Sequence, residues 1–89
     1  MAATHPRIAA VFFGKPGAGS FNAAGVEGLA RAAARFGVAP ETVWESEPSR
    51  RAETLASVAA RADLVIAHGG QGEAGVLAAA PRFPRVAFA

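Results

Sequence analysis

Eighty-nine residues, 52% of them hydrophobic and 18% charged, suffice for one small folded domain with a thin core and exclude an intrinsically disordered chain. The formal charge of +2 comes from nine Lys and Arg against seven Asp and Glu. Apart from Arg50–Arg51 the basic residues stand singly among Ala and acidic neighbours, so the basic stripe of a nucleic-acid site is missing.

The N-terminal stretch from Met1 to Arg7 lacks the basic start and apolar core of a signal peptide. Arg7 to Phe13 is a short continuous apolar run with β-branched and aromatic members, which predicts a strand buried on both faces. It stops at Gly14, where a loop to Gly19 with three glycines and one proline turns the chain sharply. Ser20 stands at the N-cap position of a helix over Phe21 to Phe36. The predicted inner stripe of that helix is Phe21, Ala24, Gly25, Gly28, Leu29, Ala32, Ala33 and Phe36, with Glu27, Arg31 and Arg35 on the other side. Gly25 and Gly28 weaken the helix, so they predict a close helix–sheet approach, and Gly37 supplies the stop.

Thr42 to Trp44 predicts a second, weaker strand, followed by a helix from Pro48 to about Arg61 that turns Leu55, Val58 and Ala59 inward. Asp63 to Ala67 is the clearest strand and runs into His68-Gly69-Gly70. A short helix from about Gly72 to Ala80, a turn bracketed by Pro81 and Pro84, and a strand beginning at Val86 complete the pattern. The order β-α-β-α-β-α-β with short connections predicts an α/β fold: a three-layer, Rossmann-like parallel sheet with right-handed crossovers. A last strand without a closing element reads as part of a larger domain.

Ligands of open parallel sheets bind beyond the carboxyl ends of the strands, which singles out the loops at residues 14–22 and 68–73. Neither nucleotide fingerprint holds in the first loop. Gly14 and Gly19 have the Walker A spacing but Ser20 follows where Lys is required, and Asn22 takes the third glycine position of a dinucleotide turn. His68-Gly69-Gly70 resembles an oxyanion turn, yet the chain contains no G-x-S-x-G nucleophile elbow. His5 and His68 are not spaced as a metal pair, cysteine is absent, and no cofactor or metal is expected. His68 reads as a hydrogen-bonded structural residue and Glu73 as a helix-dipole partner. Phe21 offers a flat face for stacking, or else core packing beside Leu29 and Phe36; the Asn22 amide can donate and accept.

The ordered set Gly19-Ser20-Phe21-Asn22, Glu27-Gly28-Leu29, Phe36-Gly37-Val38, Ala62 to Gly69 and Ala80 to Phe88 resembles the basic membrane protein (BMP) family. Its members are solute-binding proteins of ABC transporters, including receptors of the purine-nucleoside type. The resemblance covers residues 7 to 88 and implies that residues 1–89 form the N-terminal part of one lobe of a two-lobed fold. It further implies a non-catalytic role, a nucleoside-like ligand, an ABC permease as partner and a periplasmic or cell-surface location. By position, Phe21 would stack on the ligand base and Asn22 bond to its edge, with Ser20, Gly69 and Gly70 lining the cleft. One departure is that Gly17-Ala18-Gly19 stands where many members carry an acidic residue, which removes an anchor for a ligand hydroxyl or amine. Because no export signal is visible, a cytoplasmic ligand-sensing regulator of the same fold is the alternative, and a nucleotide-dependent enzyme with a degenerate glycine loop is a third.

Overall fold

The computed structural model describes residues 6–17 and 20–89, with the side chain of Ser20 outside the description. Four strands, β1 (Ile8–Phe13), β2 (Glu41–Glu45), β3 (Leu64–His68) and β4 (Ala87–Phe88), form one sheet in the order β2-β1-β3-β4. Every neighbouring pair is parallel. The helices are α1 (Ser20–Phe36), α2 (Arg51–Ala59) and α3 (Glu73–Ala79), with short 3-10 turns at Pro48–Arg50, Gly70–Gly72 and Ala80–Arg82. The expected α/β architecture is therefore present, and β1 is central and buried on both faces, as its unbroken apolar run requires.

Alternation along β1 divides the interior in two. Ala9, Val11 and Phe13, with Val65 of β3, meet Leu55, Ala56, Val58 and Ala59 of α2 and Ala79 of α3 in a sealed core. Ala10 and Phe12 face α1 instead, and that side is thinner. None of the described α1 residues is fully buried, and Phe21 and Phe36 are 60% and 66% exposed. The predicted α1 stripe is thus too wide. Only Asn22, Gly25, Leu29 and Ala33 are shielded, because a single helix covers this face and its flanks stay in solvent.

The two predicted close approaches separate. A Cβ on Gly25 would lie 2.6 Å from His68 Nε2, whereas one on Gly28 would meet nothing within 4 Å. Gly25 is required by packing and Gly28 is not. Four boundaries also shift: α2 ends at Ala59 rather than near Arg61, β3 starts at Leu64 and extends to His68, and β4 starts at Ala87. Asp63 stands just before the strand, and its carboxylate accepts from the backbone N–H of Arg7 (2.7 Å) and from its guanidinium (3.2 Å). Gly37, with φ +67, ends α1 in the left-handed conformation expected of a C-terminal glycine.

Carboxylates paired at the ends of the sheet make its stability acid-sensitive. Hydrogen bonds from Arg7 hold Asp63 below the usual carboxylate range, the Arg61 guanidinium does the same for Glu41, and the Thr54 hydroxyl with the Glu47 N–H does so for Glu45. A pKa lowered by folding contributes stability above the unfolded value and loses it as pH falls through the folded one. Urea denaturation midpoints are accordingly expected to stay level above about pH 6 and to fall progressively below about pH 4.5. Asp63→Asn should flatten part of that fall. A midpoint that rises on acidification would contradict the assignment.

Candidate functional site

The chain leaves β1 through α1 toward β2 on one side, and leaves β3 through α3 toward β4 on the other. Connections that diverge in this way open a crevice between the carboxyl ends of β1 and β3, the switch point at which open α/β sheets bind ligands. Phe13 and His68 end the two strands, and Phe12 pairs with His68 in register. Both following loops begin with a glycine of positive φ, Gly14 at +126 and Gly69 at +111.

Phe21 sits in the first turn of α1 over this crevice. Its ring stacks on His68, with centroids 4.3 Å apart and planes at 22°. A Cβ on Gly69 would lie 3.2 Å from Phe21 Cε2 and 2.5 Å from Gln71 Oε1, so the glycine lets the second loop close under the ring. The core alternative for Phe21 does not hold: at 60% exposure, one ring face packs on His68 while much of the side chain meets solvent. Asn22 is half-buried, and its Nδ2 donates to the carbonyl of Phe13 (3.0 Å), tying α1 to the end of β1. A carbonyl can only accept, so the amide must turn its NH₂ toward Phe13, leaving Oδ1 and the second N–H for other partners. One of the two N–H donors of Asn22 is therefore already used within the fold.

Ser20 opens α1, while its proposed capping and ligand contacts lie outside the described side chains. Gly70 begins the 3-10 turn after β3 and is exposed. The structure thus brings Phe21 and Gly69 together, places Asn22 beside Gly14, and sets Gly70 at the outer edge. Glu73 lies in the first turn of α3, in keeping with a dipole role.

Sequence reasoning missed three residues here. Arg51 reaches from α2 to donate to the Gln71 carbonyl (3.1 Å), its guanidinium carbon 5.5 Å from the Phe13 ring centroid. Its Nε is buried without a partner among the described residues. Glu45, 9% exposed at the end of β2, accepts from Thr54 Oγ1 and from the Glu47 N–H (3.0 Å), with Arg50 at 3.5 Å. Arg51 was visible only as half of a basic pair, and Thr54 only as a polar residue in a helix. Which strand end they face depends on register, and no local pattern encodes it.

A concave surface of about 210 Å³ adjoins the crevice at Gly69, lined also by Gly72, Val76 and Phe88, and other concave surfaces lie farther away. One of about 420 Å³ at the opposite ends of the strands is rimmed by Arg7, Glu41 and Arg61, whose Glu41–Arg61 pair is already bidentate at 2.8 and 2.9 Å. A second, of about 400 Å³, is an apolar groove between α1 and the sheet near Leu29, Phe36, Ile8 and Ile66. Among the described residues no three of His, Cys, Asp or Glu gather as a metal site would require, and no helix is long and apolar enough to cross a membrane. What the crevice offers is a stacking ring, an amide acceptor and glycine backbone.

No protein-family profile and no curated protein matches the sequence. Solved structures do. An ABC transporter solute-binding protein from Conexibacter woesei DSM 14684 superposes with TM-score 0.74 at 28% identity, over 92% of this chain and 28% of its own. A second, from Aeropyrum pernix K1, gives TM-score 0.80 at 25% identity, over 93% of this chain and 24% of its own. The chain is thus similar in fold to solute-binding proteins and spans about a quarter of the length of the structures it matches.

Proposed function

We propose that these residues form the first part of one ligand-binding lobe of an ABC-importer solute-binding protein, and that the solute is nucleoside-like. The observation that carries this reading is the exposed Phe21 ring at the switch-point crevice, backed by His68 and bordered by Gly69. A flat, exposed aromatic face selects flat ligands, and base-on-ring stacking needs no catalytic group. Asn22 Oδ1 accepts from an exocyclic amine or a ribose hydroxyl, while Ser20, Gly69 and Gly70 line the margin. The role is binding without chemistry, with a transporter permease as partner and a location outside the cytoplasm. The fold of the two solved solute-binding proteins supports the transport class, and the stacking ring supports the nucleoside class.

A thermal-shift panel on the full-length protein tests this directly. A ligand that binds only the folded state, at about a hundred times its Kd, stabilises by roughly 2.7 kcal/mol. Adenosine and inosine are expected to raise the melting temperature, whereas ribose alone and aliphatic amino acids are not. Stabilisation by an amino acid or a free sugar, with none by nucleosides, would remove the nucleoside assignment.

A further inference from the structure

His68 is joined to the stacking ring in more ways than packing requires. Its imidazole stacks on Phe21 (4.3 Å, 22°), and its Nε2 lies 3.2 Å from the Phe21 carbonyl oxygen. Because that oxygen accepts only, Nε2 carries the proton and donates. The same imidazole rests against the buried Phe12 ring at 5.2 Å, and Phe12 in turn stacks on Trp44 at 5.0 Å. Above it stands Gly25, where a Cβ would overlap the imidazole at 2.6 to 2.9 Å. The imidazole is therefore held by β1 below and α1 above, and it grips both the ring and the backbone of one residue, Phe21.

We propose that His68 is the positioning residue of the solute site, setting the plane of the Phe21 ring through one stack and one hydrogen bond, with Gly25 as the gap that admits it. The inference rests on the solute-binding reading given above. An aromatic ring in the first turn of a helix and largely in solvent would otherwise sample several rotamers. Fixing it before the ligand arrives removes that ordering cost from binding. A histidine that merely filled space would need neither the donated proton nor the parallel ring.

The test uses the full-length protein, with adenosine as probe and the Phe21 ring resonances as a ligand-independent readout. In His68→Ala, the Phe21 ring protons are expected to lose the upfield shift caused by the imidazole, and adenosine affinity to fall about tenfold. His68→Phe keeps a flat ring but not the donor and should recover only part of that loss. Gly25→Ala leaves the imidazole in the chain but displaces it, and should reproduce the His68→Ala phenotype. This second route also decides the matter if His68→Ala does not fold, as judged by circular dichroism. Unchanged Phe21 resonances in the folded variants would overturn the proposal, and so would unchanged affinity alongside altered resonances. If the parent protein binds no nucleoside, the solute reading fails by itself, while the ring resonances still report whether His68 positions Phe21.

Discussion

Phe21→Ala is expected to weaken nucleoside binding by roughly 5- to 150-fold, the equivalent of about 1–3 kcal/mol for one base stacked on one aromatic ring. The same substitution should change the unfolding free energy by only about 1 kcal/mol. The two effects separate because the side chain is 60% exposed and its main intramolecular contact is the single stack on His68. Alanine is also a better helix former than phenylalanine in the first turn of α1. Isothermal titration calorimetry with adenosine and urea denaturation of the same preparations measure both. Unaltered affinity would remove Phe21 from the site, and a stability loss of several kcal/mol would make it a core residue.

The opposite pattern is expected one layer down. Phe12→Ala should destabilise the fold by about 3–5 kcal/mol, a large share of the 5–15 kcal/mol typical of a domain. Phe12 is 2% exposed at the centre of the sheet and lies between Trp44 at 5.0 Å and His68 at 5.2 Å. Removing it leaves a cavity that β1 and β2 cannot close without giving up their register, in which Phe12 is paired with Trp44. Phe36→Ala provides the control: that ring is 66% exposed, and its loss should cost less than about 1 kcal/mol. Chemical denaturation of the two variants side by side checks the contrast. Equal losses would mean that the α1 face is far better sealed than its exposure indicates.

The contrast between these two phenylalanines also marks how far the sequence could be read. Phe12 lies in an uninterrupted apolar run, and such a run, bounded by turn signals and too short for a helix, reads as a strand covered on both faces. The same logic located β3, and Gly37 ended α1 where left-handed backbone was needed. Phe21 and Phe36 lie on a helical stripe, where periodicity records which residues share a face but not how much of that face is covered. Gly25 and Gly28 show the same limit. Both look like sites of close approach in the sequence, but only Gly25 stands over a side chain, that of His68 in a strand far along the chain. The row Trp44, Phe12, His68, Phe21 is fixed by the pairing of three strands and the placement of one helix, and no segment carries it alone. Phe21 itself was legible as a candidate because it follows a glycine loop at a strand end. Its backing by His68, and the commitment of the Asn22 amide to Phe13, were not.

Nitrogen-15 correlation spectra of the full-length protein, recorded during an adenosine titration, bear most directly on whether the solute sits where β1 and β3 end. The largest amide shifts are expected at Phe21, Asn22, Gly69 and Gly70, saturating together, with the opposite ends of the strands around Glu41 and Arg61 unperturbed. Saturation that leaves those four amides still, or that centres its shifts on Glu41, Arg61 and Asp63, would contradict the account.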